Sequence, residues 1–185
     1  THGNLLHNIR QIVSAFQITK SDSAVIWLPP YHDMGLIGGI LTPIYCATHC
    51  VLMPPAAFLQ QPVRLFKAIA TYGATITGGP NFMYDLCVNK ITREQCEHLD
   101  LSSLRLAFNG AEPIRYETIE RFENTFRSIG LRENVILPCY GLAESSVHVC
   151  SSQPASAISI LKYDKKAFQR NVLTTPESKE NESIL

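Results

Sequence analysis

A tyrosine, an acid and three intervening residues stand together in Tyr140-Gly141-Leu142-Ala143-Glu144, and Asn109-Gly110-Ala111-Glu112-Pro113 precedes them. Gly110 and Gly141 leave no side chain where a flat ligand would approach the backbone. Tyr140 offers an aromatic face to a base, and Glu144 a carboxylate suited to a hard divalent cation. Such a set at one edge of a sheet suits a nucleotide carrying Mg2+. The same spacing also describes an ordinary pair of turns, with Tyr140 buried and Glu144 capping a helix, and composition does not separate the two.

Two further turns follow apolar runs. Tyr31-His32-Asp33-Met34-Gly35 comes after Pro29-Pro30, and His32 there either orients a substrate or caps the next helix. Gly78-Gly79-Pro80-Asn81 either lines a pocket, its glycines admitting a ligand to the backbone, or is a plain tight turn.

The elements that position these turns are legible from period. Residues 104–108 and 135–140 read as buried strands, and Ile119, Phe122, Phe126 and Ile129 between them lie at helical spacing. Strand, helix, strand sets both motifs at the carboxyl edge of a parallel sheet, where open α/β sheets bind ligands. On that helix Glu117/Arg121 and Glu123/Arg127 are spaced i,i+4 and are read as a solvated face. Further strands are predicted over 23–28, 49–53, 74–77, 147–151 and 158–163. Helices are predicted over 4–17 with Asn4 as cap, 35–46, 62–72, 82–88 and 92–98. The 35–46 helix is apolar on all sides and is expected to be buried. Residues 164–185 are polar and charge-rich, a segment unable to build its own core and expected to be mobile or weakly docked.

The chain has 185 residues, 45% hydrophobic and 17% charged, with 16 basic and 16 acidic side chains. That is the balance of a globular α/β domain, and the zero net charge argues against nucleic acid as a partner. No apolar run is long enough for a membrane span and no signal-peptide pattern opens the chain, so a cytoplasmic location is expected. Of the six cysteines, Cys46, Cys87, Cys139 and Cys150 lie in apolar segments and read as reduced core thiols. The Cys46, His49, Cys50 cluster lacks a second ligand pair at finger spacing, so zinc is not expected. P-loop, dinucleotide-binding and serine-hydrolase signatures do not occur.

Taken together, the motifs resemble the adenylate-forming superfamily of acyl-CoA synthetases, luciferases and peptide-synthetase adenylation domains, and most of all the fatty acyl-AMP ligases. The resemblance runs through Thr1-His2-Gly3-Asn4, Trp27-Leu28-Pro29-Pro30-Tyr31-His32-Asp33-Met34-Gly35, Phe58-Leu59-Gln60-Gln61-Pro62, Gly78-Gly79-Pro80-Asn81-Phe82, Phe108-Asn109-Gly110-Ala111-Glu112-Pro113 and Tyr140-Gly141-Leu142-Ala143-Glu144. It implies an α/β fold, part of the large N-terminal domain, with a mostly parallel sheet and flanking helices. Residues 1–150 would be a partial AMP-binding domain and 151–185 the start of the family insertion. The implied activity is ATP- and Mg2+-dependent conversion of a fatty acid to its acyl-adenylate, with transfer to the phosphopantetheine of an acyl carrier protein. By motif, Gly110, Ala111, Glu112 and Pro113 would border the adenine, with Tyr140 stacked on it. Gly141, Leu142 and Ala143 would follow the ribose and α-phosphate. Glu144 would hold Mg2+, and His32 would sit by the reacting carboxylate, with Gly79 and Asn81 toward the acyl substrate.

Most superfamily members carry Thr where Ala143 stands, and Ala is similar to the acyl-AMP ligase pattern. The phosphate loop, the ribose-binding Asp and the domain with the adenylation lysine lie outside these residues. The chain therefore reads as the middle of a larger enzyme and is expected to be inactive alone. A fatty acyl-CoA ligase and a truncated, non-catalytic nucleotide-binding module are the alternatives.

Overall fold

Short apolar runs between turn residues become strands, and six of them join in one sheet. The computed structural model describes residues 1–176 and 182–184. The strands are β1 (Ser23–Ile26), β2 (His49–Leu52), β3 (Ile76–Gly79), β4 (Leu106–Asn109), β5 (Ile136–Gly141) and β6 (His148–Ser151), in spatial order β2-β1-β3-β4-β5-β6. The first five are parallel and β6 returns antiparallel to β5. This is the mostly parallel α/β sheet with flanking helices that the motifs imply.

One helix precedes β1 and the others lie in the crossovers. They are α1 (His2–Ala15), α2 (Thr42–Cys46), α3 (Pro55–Gln60), α4 (Val63–Tyr72), α5 (Asn81–Lys90) and α6 (Tyr116–Phe126). Aromatic side chains of α4, α5 and α6 pack edge to face, with Phe66 4.7 Å from Phe126 and Tyr84 5.0 Å from Phe122 between ring centres. The Tyr84 hydroxyl, fully buried, donates to the Phe108 carbonyl at 2.7 Å, so its polar end is satisfied.

Several boundaries differ from the sequence expectation. Thr1, not Asn4, caps α1, its hydroxyl accepting from the Asn4 N–H. The predicted 35–46 helix is a π-helix over Met34–Leu41 that runs on into α2. A β-carbon on Gly35 would collide with the Pro29 carbonyl, and one on Gly39 would lie 2.7 Å from Ile26, so the glycines seat this helix tightly on β1. Its opposite side is not buried: Ile44 is 70% exposed, and Leu36 and Tyr45 are also exposed. Hydrophobic composition alone did not reveal that the glycine side is the packed one.

Helix α3 arises in a stretch with no predicted element, and the predicted 92–98 helix shrinks to the 3-10 turn Glu94–Cys96. β3 contains Gly78 and Gly79 rather than ending before them. On the solvated face of α6, Arg121 pairs with Asp85 at 3.6 Å, and beyond it Arg127 pairs with Glu133 at 3.0 Å. Glu123 is half-buried, and desolvation raises its pKa. Cys87 is buried, whereas Cys46 and Cys139 are half-buried and Cys150 is exposed.

Beyond Ser151 the predicted 158–163 strand is reduced to β7 (Lys162–Asp164), which pairs antiparallel with β8 (Glu182–Ile184) and leads into the short helix α7 (Lys165–Phe168). The start of the 164–185 segment carries α7, and residues 177–181 and 185 of it lie outside the described residues. Among the described residues no helix is long and apolar enough to cross a membrane.

Candidate functional site

The parallel register places the ends of β3, β4 and β5 side by side, with Gly79 opposite Asn109 and Asn109 opposite Pro138. Against the α1 side of the sheet lies a cavity of about 430 Å3. Ala24, Ile26, Ile76 and Phe108 form its floor, and Ile12, Phe16 and Met34 from the overlying helices its roof. Its rim gathers Tyr31, His32, Ala111, Tyr140, Gly141, Leu142 and Ala143. Alternation along a strand explains the floor, since residues 24 and 26 of β1 share one face.

Tyr140 stands 61% exposed at this rim, so its ring is open to a ligand rather than committed to the core. Register shifts between Tyr140 and Gly141 as β5 turns toward β6. A β-carbon on Gly141 would collide with the Val147 carbonyl, so only glycine lets the two strands meet there. Leu142 N–H then donates to Val147 O at 3.0 Å, closing the turn that carries Ala143 and Glu144. Across the rim, Ala111 adopts φ 71°, a strained backbone for a residue with a β-carbon. His32 places Nδ1 2.6 Å from Asp33 Oδ1, and that oxygen also accepts from Met34 N–H at 2.7 Å. The same N–H also reaches His32 Nδ1 at 3.3 Å, so Nδ1 faces the start of the π-helix and Nε2 is the nitrogen left for a substrate.

Glu144 lies outside the apolar cavity. It lines a separate polar groove of about 450 Å3 with Asn4, His7, Gln11 and Ser145. Oxygen donors of this kind fit a hard cation that takes one carboxylate and fills its other positions with phosphate and water. Among the described residues no cluster of three or more His, Cys, Asp or Glu could hold a metal by itself.

The remaining expected residues sit elsewhere. Asn81 is buried in a polar network, its Nδ2 donating to Thr118 Oγ1 at 3.2 Å and its Oδ1 accepting from Arg115 N–H at 3.1 Å. Gly79 packs against Trp27 and Met83. Neither lines the cavity. Gly110 is buried beside Cys139, and Pro113 is exposed. Glu112 accepts from the Phe82 N–H at 2.6 Å, so its carboxylate holds the first turn of α5.

Three residues of the site were not singled out from sequence. His148 borders both the cavity and the polar groove, with its ring edge-on to Phe16 at 5.8 Å and its pKa lowered by burial. Asn8 is buried on α1 and hydrogen-bonds the His148 main chain. A signal existed, because a polar residue three or four positions from Leu5 and Ile12 falls on the buried stripe. Asp22 lies at the far end of the cavity. Cys139, also a lining residue, has its thiol pushed up to about 12 by burial and is no nucleophile.

A mostly parallel sheet carries an exposed aromatic, a glycine turn and an acid at its carboxyl edge, next to an apolar cavity. The chain belongs to the AMP-binding enzymes, whose family matches residues 1–167. It is 40% identical over 182 residues to a medium-chain-fatty-acid–[acyl-carrier-protein] ligase of Moorena producens, covering 97% of this chain and 31% of that protein. A ligase of the same name from Teredinibacter turnerae is 38% identical, covering all of this chain and 29% of the relative. The fold matches the crystal structure of a fatty acyl-adenylate ligase from L. pneumophila in complex with acyl adenylate and pyrophosphate. The TM-score there is 0.96 at 44% identity, over 100% of this chain and 33% of that one. The chain thus spans about a third of the length of the relatives it matches.

Proposed function

We propose that the full-length protein activates a fatty acid with ATP and passes the acyl group to a carrier protein. The observation that carries this reading is one cavity that is apolar along its floor and nucleotide-suited at its rim. In the first step a fatty-acid carboxylate oxygen bonds to the α-phosphorus of ATP as the bond to the β-phosphate breaks, giving acyl-adenylate and pyrophosphate. In the second, a phosphopantetheine thiol takes the acyl carbon and AMP leaves.

Each local residue has a defined task in this reading. Tyr140 stacks on the adenine, opposite the backbone from Gly110 to Pro113. Gly141, Leu142 and Ala143 track the ribose and α-phosphate through their main chain, since Ala143 supplies no hydroxyl. His32, held beside Asp33, sits by the reacting carboxylate and orients it. Phe16, Ile26, Ile76 and Phe108 exclude water around the alkyl chain. Glu144 is the residue that would hold Mg2+, whose charge would offset that of the triphosphate. The work is positioning and charge stabilisation rather than covalent catalysis. Residues 151–185 are read as the start of the insertion that bars free CoA.

The test supplies the full-length protein with a fatty-acid series, ATP, Mg2+ and CoA, and identifies products by mass spectrometry. Acyl-adenylate without acyl-CoA is the expected result. Acyl-CoA as main product would move the protein to the CoA-ligase branch, and neither product at any chain length would overturn adenylation.

A further inference from the structure

The strand that closes the nucleotide turn is held from outside the sheet by one side chain. β6 ends the sheet order, with β5 on one side and, among the described residues, no strand on the other. The carboxamide of Asn8 takes that place at one position. Its Nδ2 donates to His148 O at 2.7 Å, and its Oδ1 accepts from His148 N–H at 3.0 Å. One amide thus meets both main-chain groups of a single residue, as a neighbouring strand would. Asn8 is 4% exposed, and its Nδ2 is further fixed by Gln11 Oε1 at 3.1 Å.

The location of this clamp gives it a consequence. His148 is the β6 residue in register with Gly141, next to Tyr140, and the turn carrying Glu144 springs from that pair. The order across the structure is therefore Asn8 side chain, His148 main chain, Gly141 main chain, and then the nucleotide turn. We propose that Asn8 is the positioning residue by which α1 sets the Tyr140–Glu144 turn for Mg·ATP. This rests on the adenylation reading above and adds to it a residue that touches no substrate. Loss of the amide strands two half-buried main-chain groups and frees the turn to shift against α1. The acyl floor, built on β1, β3 and β4, keeps its own supports.

The experiment measures fatty-acid-dependent exchange of pyrophosphate into ATP by the full-length protein, wild type and Asn8→Ala, with thermal unfolding recorded in parallel. Asn8→Ala should raise KM for Mg·ATP about tenfold and that for the fatty acid less than about twofold. Asn8→Gln, which keeps the amide, should recover part of the loss. Asn8→Ser is the second variant should Asn8→Ala not fold, and it must show the same split. Equal KM values for Mg·ATP in wild type and a folded Asn8→Ala or Asn8→Ser protein would overturn the assignment alone, as would equal rises for both substrates. A wild-type protein without exchange would overturn the adenylation reading and the assignment with it.

Discussion

Arg105 grips Asp22 with two N–H donors, Nε to Oδ1 at 2.6 Å and Nη2 to Oδ2 at 2.8 Å. The same guanidinium donates to the Phe16 and Gln17 carbonyls, which follow the last turn of α1. One side chain on the approach to β4 therefore ties the end of α1 to the start of β1. Helix α1 is pinned at two places, by Arg105 just past its end and by the Asn8 amide at its middle.

The Asp22 carboxylate has a definite pH signature. Burial by itself would raise its pKa, but hydrogen bonds from Arg105, the Thr19 N–H and Thr75, with the charge of Arg105, hold it well below the ordinary carboxylate range. A folded-state pKa below the unfolded one adds stability above the unfolded value, lost as pH falls toward the folded value. Asp22→Asn should thus cost about 2 kcal/mol at pH 7, and the gap from wild type should narrow below about pH 4. Thermal unfolding of the full-length pair at pH 7 and pH 3 checks this, and a gap of equal size at both would refute it.

Gly141→Ala tests the joint between β5 and β6. The added methyl meets the Val147 carbonyl, a backbone atom that yields only if the hairpin opens. Pyrophosphate exchange should fall at least about tenfold, with the loss in KM for Mg·ATP as well as kcat. Kinetics like those of wild type would mean that the strands separate there at little cost.

The carboxyl-edge arrangement was legible because strand, helix and strand, read from apolar period, leave one parallel topology, and β3, β4 and β5 follow it. Tyr140, Gly141 and His32 were legible as turn residues after strands, and the structure brings them to one rim. Asn81 and Glu112 were singled out by motif, and what the sequence did not show is the set of hydrogen bonds they make, to Thr118 and Arg115 and to the Phe82 N–H, because those partners lie far along the chain. Asn8 shows the converse. Its partner is 140 positions away, and a contact of that range leaves no trace in local spacing.

The His32–Asp33 pair predicts a kinetic effect confined to the reacting centre. Asp33→Asn keeps the shape but removes the acceptor charge 2.6 Å from Nδ1, loosening the orientation of the ring. His32→Ala should lower kcat for adenylation about tenfold or more, and Asp33→Asn by a smaller factor, with KM for Mg·ATP changed little in both. Single-turnover measurement of acyl-adenylate formation separates this from product release. A loss that falls on KM for Mg·ATP would instead place His32 with the nucleotide.

Gly38 offers a test of the cavity that leaves the fold intact. It lines the cavity from the π-helix, and a β-carbon built on it meets nothing within 4 Å. A larger side chain there projects into open space, unlike one at Gly35 or Gly39, and replacing a helical glycine adds about 0.5–1 kcal/mol of stability. Gly38→Leu therefore shortens the space left for an alkyl chain without straining the helix. Each methylene that no longer fits forfeits about 0.8 kcal/mol of transfer energy. The kcat/KM for the longest accepted fatty acid should fall about tenfold or more, while that for short acids changes about twofold at most. A uniform loss at all lengths would show that the alkyl chain runs elsewhere. An unchanged series would show that the cavity beneath Gly38 is not the acyl site.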